Sequence, residues 1–308
     1  MALEHPQPLQ AQANVGPRGY RQPWLGYAFL SPAMVLFLIF IVGPFIGAIS
    51  LSFYSWDLLT PAVPAGLKNF HHLFHDPVLP RVLLNTFIFA LASVVLHVGG
   101  GLVLALALNR GMNTVLSYFV RASTFFPLLI SWAAVSLLWK YVLDPSFGYF
   151  GYYLGRVGIR TPAFFADPHW ALISIIGVDF WHTIGYTVII MLAGLQTVPP
   201  QLMEAARTDG ASPRQVFFNV TLPLMSPTIF FATVITFIGA FQIFDPMQII
   251  TQGGPNNATE SVIQYLYLTG FQSFDIGYAS TIAIVVFVII MGVTGLQFLA
   301  SRRWVYEA

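Results

Sequence analysis

The chain has 308 residues, of which 56% are hydrophobic, 16% aromatic and only 8% charged. That much apolar surface exceeds what a water-soluble fold of this length can hide, so a soluble globular domain is excluded and a membrane protein is indicated. A formal net charge of +1 gives no pull toward nucleic acid, and the lack of cysteine removes disulfides, thiolate metal sites and cysteine nucleophiles.

The first two dozen or so residues are polar and contain Pro and Gln, and the apolar run after them is too long for the core of a signal peptide. Residues 1–22 therefore read as a tail ahead of a retained span. Charge-free intervals follow at 22–56, 82–109, 122–139, 215–244 and 276–301, each with the roughly 20 apolar residues that a bilayer crossing needs. A sixth, 169–195, is interrupted only by Asp179 and His182. The expectation is an all-α membrane protein whose 23–301 region holds six transmembrane helices, at about 27–52, 82–109, 119–140, 169–195, 224–246 and 277–300, with a short tail over 302–308.

Six crossings leave both termini on one side. That side carries Arg18, Arg21, Arg110, Arg121, Arg207, Arg214, Arg302 and Arg303, against Lys68, Arg81, Lys140, Arg156 and Arg160 on the other. The excess of basic residues on cytoplasmic loops assigns the termini to the cytoplasm. Pro32, Pro44, Pro127, Pro227 and the run Gly99-Gly100-Gly101 fall inside the spans. Such residues are tolerated where neighbouring helices re-satisfy freed backbone groups and pack closely, so a bundle is expected.

Charge gathers at one place. In the stretch EAARTDGASPRQVFFNVTLP, residues 204–223, Glu204, Arg207, Asp209 and Arg214 occupy four of eleven positions. Pro199-Pro200 suits a helix start, Gly210 suits a left-handed C-terminal cap, and Ser212-Pro213-Arg214-Gln215 has capping-box spacing for a second start. The loop 196–223 is thus predicted to be helix, sharp turn and second helix. Two readings follow from the residues: an amphipathic helix resting on the membrane with solvated charges, or a helix whose small Ala205 and Ala206 and flanking charges dock on a soluble partner.

Glu204-Ala205-Ala206, three residues, Gly210, nine residues, Val220, one residue and Leu222-Pro223 resemble the EAA loop of permease subunits of binding-protein-dependent ATP-binding-cassette importers. Val220 stands where the family usually has isoleucine. Leu104-Ala105-Leu106-Ala107-Leu108-Asn109-Arg110, Phe126-Pro127, Leu138-Trp139-Lys140, Leu192-Ala193-Gly194-Leu195-Gln196, Thr251-Gln252-Gly253-Gly254-Pro255 and Phe274-Asp275-Ile276-Gly277-Tyr278-Ala279-Ser280 are similar to the carbohydrate and glycerol-3-phosphate branch, and within it to the first of two permeases. The resemblance implies the type I importer permease fold with a cytoplasmic coupling helix, in the inner membrane of a prokaryote. It also implies a second homologous permease, two ATP-binding subunits and an extracytoplasmic solute-binding protein as partners.

ATP and Mg are then used by the partner ATPases, since no Walker-type glycine loop occurs here and no cofactor is expected on this chain. Glu204 and Asp209 are implied to make charged contacts with the ATPase. Ala205 and Ala206 would pack into its groove, Gly210 would permit the turn, and Leu222-Pro223 would lead into span five. The implied cargo is a saccharide, polyol, glycerol-3-phosphate or glycerophosphodiester.

Asp179 lies about eleven residues into span four, on the order of 16 Å along a helix and so near mid-bilayer. An aspartate there costs roughly 2.5 to 3.5 kcal/mol on insertion scales, which marks a functional candidate. His182, three positions on, is placed to pair with it. Trp181 and Tyr186 offer stacking faces for a sugar ring, Gln242 offers donors and acceptors, and Asp245 fits a family position near the end of span five. Equally, Asp179 and His182 satisfy each other while the aromatics pack. Gly253-Gly254-Pro255 is a candidate contact for the binding protein, against a plain loop turn.

Other features carry less. His71 and His75 have i, i+4 spacing but no further ligands nearby, so no metal site is expected. His97 reads as a hydrogen-bonded bundle residue, and Asn257-Ala258-Thr259 as a chance glycosylation match. One rival reading is a proton-coupled secondary transporter using Asp179 and His182. Another, an intramembrane enzyme with the same pair, lacks any nucleophile motif.

Overall fold

A computed structural model describes residues 23–109, 113–159 and 161–306. The tail 1–22, Arg110, Arg160 and residues 307–308 lie outside the described residues. The chain divides into two units, Met1–Gly47 and Ala48–Ala308.

In the first unit, α1 (Pro23–Phe37) passes through a π-helical turn over Leu38–Val42 into α2 (Gly43–Leu51), which continues past the unit boundary. Pro44 has no N–H to give and crowds the carbonyl four residues back. The ladder ahead of it widens accordingly, with Gly43 N–H donating to the Leu38 carbonyl. The stretch Gly26–Leu51 is apolar throughout and none of its residues is buried.

The second unit begins with a two-stranded antiparallel ribbon, β1 (Tyr54–Ser55) and β2 (Val63–Pro64), followed by the amphipathic α3 (Lys68–His75) and the long α4 (Leu79–Asn109). α5 (Thr114–Phe125), a 3-10 turn at Pro127–Leu129, α6 (Trp132–Val142) and the short α7 (Tyr149–Arg156) lead to α8 (Pro168–Thr197). Then come α9 (Pro200–Thr208), α10 (Pro213–Val216), a π turn, α11 (Leu222–Leu224), α12 (Ser226–Phe241), a second π turn at Met247–Thr251, α13 (Val262–Tyr267) and α14 (Ile276–Ser301).

Among the described residues, four helices are each long and apolar enough to cross a membrane, or six spans if each of two bent pairs counts as one. The third expected span, 119–140, is therefore not one helix. It is a pair, Thr114–Leu129 and Trp132–Val142, bent by 111°. Pro127 breaks the ladder, Ser131 caps the new helix by accepting from Ala134 N–H, and the free Ile130 carbonyl is taken by His182 Nε2 at 2.9 Å. The pair nonetheless runs beside α8 from past its middle to its start. Val120 and Phe125 pack beside Ile184 and Val188, whereas Leu143 and Pro145 border Phe165 and Ala166 just before α8 begins. The fifth span, expected over 224–246, is bent by 63° at Met225 and its helix ends at Phe241.

The centre of the bundle is α4, α8 and α12. Phe89 and Ala90 of α4, Ile175 of α8 and Phe237 and Phe241 of α12 form its main cluster with Ile282 of α14. Glycines set the closest approaches. A Cβ on Gly101 would lie 2.9 Å from Thr187, and one on Gly194 2.6 Å from Thr228, so α8 meets α4 and α12 nearly backbone to side chain.

At the end where α4, α8 and α14 begin, Asp76 ties the elements together. It accepts from Tyr265 Oη at 2.6 Å, from Tyr278 Oη, and from the Val78 and Leu79 amides that open α4. Asn69 Nδ2 donates to the Ser52 and Tyr54 carbonyls and Ile276 N–H to the Trp56 carbonyl, which seats the ribbon on α14.

Candidate functional site

At the opposite end, the 196–223 loop is built as its local sequence dictates. Pro200 opens α9, and Asp209, Gly210 and Ala211 amides close its last turn on the Ala205, Arg207 and Ala206 carbonyls. Gly210 stands at φ +84°, a conformation that a Cβ disfavours. Ser212 then caps α10. Its Oγ accepts from Gln215 N–H and its own N–H donates to Gln215 Oε1 at 2.7 Å. Met203 and Val198 hold the base of this hairpin in a cluster with Leu195 and Met225.

Above that base, Glu204, Ala205, Arg207, Asp209 and Gly210 are exposed and Ala206 is half-buried. Among the described residues none of Glu204, Arg207, Asp209 and Arg214 has an ion-pair partner; Arg214 instead lies over the Phe218 ring. Leu222 and Pro223 are half-buried, and the Pro223 carbonyl accepts from Ser226 Oγ at 2.6 Å just where the chain bends into α12.

A second constellation lies mid-bundle. α4, α8 and α12 enclose a cavity of about 260 Å³ with Ser93, His97, Trp132, Asp179, Thr183 and Tyr186 on its walls. Asp179 does not pair with His182. Its Oδ2 accepts from Ser93 Oγ at 3.1 Å and lies 3.7 Å from His97 Nε2, both on α4. His97 Nδ1 donates to the Ser93 carbonyl at 2.7 Å, and Nε2 lies 2.7 Å from Thr183 Oγ1. His182 turns the other way, to the Ile130 carbonyl, because the break before α6 leaves that acceptor open.

The remaining candidates scatter. Tyr186 lines the cavity and is 48% exposed. Trp181 faces away and packs edge-on against Trp139, with centroids 5.4 Å apart, beside an apolar groove that includes Phe119 and Pro127. Gln242 caps the end of α12 and Asp245 follows it, both exposed and neither on the cavity wall. Ser93, His97, Thr183 and Trp132 were not foreseen as a group. The available signal was Ser93 and His97 at i, i+4 in one apolar span, facing Asp179 and Thr183 at i, i+4 in another.

At the ribbon end, Gly253 stands at φ +81° and Gly254 and Pro255 border a groove of about 360 Å³ with Lys140 and Asp144. This loop is firmly mounted. Asn85 Nδ2 donates to the Asn257 and Glu260 carbonyls at 2.7 and 3.2 Å, and Thr259 Oγ1 donates to the Gly254 carbonyl at 2.8 Å. Burial and the nearby Asp76 push the Glu260 carboxyl above its ordinary range. Burial also opposes the charge on Asp76, but the hydroxyls of Tyr265 and Tyr278 and two amides outweigh it and hold that carboxyl below its ordinary value. His71 and His75 stack on each other at 4.3 Å, with His75 Nδ1 2.9 Å from the His71 carbonyl.

These features coincide with a known pattern. Residues 97–306 match the family model described as binding-protein-dependent transport system inner membrane component. The chain is 37% identical over 274 residues to the probable ABC transporter permease protein YurN of Bacillus subtilis, covering 88% of this chain and 94% of that one. It is 30% identical to the sn-glycerol-3-phosphate transport system permease protein UgpA of Pectobacterium atrosepticum, covering 92% and 96%. A bacterial alginate ABC transporter, solved in complex with alginate pentasaccharide-bound periplasmic protein, has a chain that superposes with a TM-score of 0.80 at 26% identity, covering 92% of this chain and 95% of that one. The chain therefore belongs to the inner-membrane permease components of binding-protein-dependent ABC transport systems.

Proposed function

We propose that this permease passes a sugar or sugar-like solute, namely a saccharide, polyol, glycerol-3-phosphate or glycerophosphodiester, across the cytoplasmic membrane. It does so with a second homologous permease, two ATP-binding subunits and an extracytoplasmic solute-binding protein. The observation that carries this reading is the exposed, capped α9–α10 hairpin with four charges that lack ion-pair partners among the described residues. Charges without local partners on a small-residue helix suit a complementary protein groove. The relatives support it with their own roles: sn-glycerol-3-phosphate transport for one, and an alginate transporter with a sugar-bound periplasmic protein for the other.

In this reading the hairpin faces the cytoplasm and both termini share that side. Glu204 and Asp209 contact an ATPase, Ala205 and Ala206 seat in its groove, Gly210 permits the turn, and Leu222-Pro223 passes motion into α12. ATP and Mg are bound and consumed by the ATPase subunits, and this chain acts as a non-enzymatic gate. ATP-driven closure of those subunits draws two such hairpins together and turns an inward-open pathway outward.

Gly253, Gly254 and Pro255, on a loop braced from α4, are offered to the binding protein. Asp179 and Tyr186 line the solute pathway on this chain. His182 and Trp181 support its wall, and Gln242 and Asp245 reach the pathway from the exposed end of α12, where the second permease completes it. The proton-coupled carrier loses its basis, because Asp179 and His182 are not a pair and the family is that of ABC permeases.

The test is purification of the tagged chain from its native membrane in mild detergent, with assay of ATP hydrolysis. An ATPase subunit and a second permease are expected to travel with it, and Gly210→Asp is expected to uncouple hydrolysis from uptake. Normal uptake by that variant at normal membrane abundance overturns the assignment.

A further inference from the structure

The mid-bundle cavity mixes polar groups with apolar ones, the latter including Ile235 and Ile243. Ser93 and Thr183 present hydroxyls, Trp132 and Tyr186 present aromatic faces, and Asp179 is the acid among them; among the described residues no lysine or arginine lines it. His97 is the lining group able to carry positive charge, and its Nδ1 is committed to the Ser93 carbonyl while Nε2 points between Thr183 Oγ1 and Asp179 Oδ2. Any charge on His97 is therefore already matched by the Asp179 carboxylate 3.7 Å away, and none is left for an incoming anion.

We infer that this cavity selects uncharged polyhydroxylated solutes and turns away phosphate-, carboxylate- and sulfonate-bearing ones, with Asp179 as its specificity-determining residue. This rests on the solute-pathway reading above and narrows it. An anion entering here sheds water in a low-dielectric surround and meets a carboxylate with no free cation on this chain's described wall to answer it, a cost of the kind that discriminates between ligands by repulsion. A sugar meets the reverse. Its hydroxyls donate to the carboxylate and to hydroxyl oxygens, and its apolar ring face covers Trp132 or Tyr186. A volume of about 260 Å³ on this chain's side suits a small, compact solute.

The cysteine-free chain allows a direct electrostatic reading. Tyr186→Cys in the full transporter complex is treated with two methanethiosulfonates, one bearing a trimethylammonium group and one a sulfonate. Each forms a mixed disulfide with the thiolate and releases methanesulfinate, and each rate is divided by that for a small thiol in solution. Mass spectrometry of this chain follows the labelling.

The corrected rate for the cationic reagent is expected to exceed that for the anionic one by about tenfold or more, and Asp179→Asn on the same background is expected to shrink the ratio at least threefold. A corrected ratio at or below one, or a ratio indifferent to Asp179→Asn, overturns the inference. So does failure of both reagents at Tyr186→Cys and at Thr236→Cys, a second lining position, since the cavity is then closed to solutes. Loss of the co-purifying ATPase sinks the transport reading instead, whereas a flat ratio in an intact, hydrolysing complex sinks only this selectivity.

Discussion

Asp76 receives four hydrogen bonds from three elements, and Glu260 sits close enough for each carboxylate to feel the other. Removing the Asp76 acceptor strands two tyrosine hydroxyls and the start of α4. Asp76→Ala is therefore expected to lower stability by about 2–3 kcal/mol, read as a reduced thermal midpoint in detergent, with Tyr265→Phe costing about 1 kcal/mol. The pH response has opposite signs at the two acids. Asp76, depressed in the folded chain, contributes stability above its ordinary value of 3.8, and this is lost as pH falls through the lower folded value. Glu260, raised by burial and by Asp76, contributes fully below its ordinary 4.5 and loses that contribution as pH rises through its folded value. Glu260→Gln keeps the shape without the charge. It is expected to raise the thermal midpoint at pH 7 and to leave it unchanged at pH 4; a variant less stable than wild type at pH 7 contradicts this account.

Helices approach each other through particular glycines, and the cost of filling them depends on what stands opposite. A Cβ on Gly185 would sit 2.5 Å from the Thr124 carbonyl, a backbone atom that cannot swing aside, whereas one on Gly99 meets nothing within 4 Å. Gly185→Ala is expected to cost about 1–3 kcal/mol by overpacking the α5–α8 contact. Gly99→Ala, on an open helix face, is expected to be neutral or slightly stabilising, since alanine is the better helix former. Equal thermal midpoints for the two variants contradict the close approach. The same distinction between local and tertiary causes explains what could be read from the sequence. The Ser212–Gln215 capping box and the Gly210 turn involve neighbours within a few positions, so spacing alone disclosed them. Asp179 found His97 rather than His182 because α4 lies against α8, and no pattern near residue 179 says which helix comes alongside. The 111° bend after Pro127 was likewise half legible. The proline was visible, but the acceptor for the freed backbone, His182, comes from another helix.

For the whole molecule, the direction of every loop hangs on whether the α5–α6 pair crosses the membrane or turns back within it. Its contacts favour crossing: Val120 and Phe125 lie with Ile184 and Val188 toward one end of α8, and Leu143 and Pro145 with Phe165 and Ala166 at the other. From Pro168, where α8 begins just after Phe165 and Ala166, to Ile184 is 16 residues, about four and a half turns or on the order of 24 Å. A segment that returned to its starting face would not reach both. Because the chain has no native cysteine, single replacements at exposed loop positions report sidedness with little background. Thr114→Cys, at the start of the pair, and Ser146→Cys, just after it, are expected to react with a membrane-impermeant maleimide from opposite faces, the first in inverted vesicles and the second in right-side-out ones. Ser212→Cys should follow Thr114→Cys, and Asn256→Cys should follow Ser146→Cys. If Ser146→Cys instead reacts on the Thr114→Cys face, the pair is re-entrant, the crossings number five and the termini part to opposite sides. The α9–α10 hairpin and the α4-braced 253–255 loop serve cytoplasmic ATPase and external binding protein respectively only in the first case, so this one measurement constrains how the bundle can assemble with its partners.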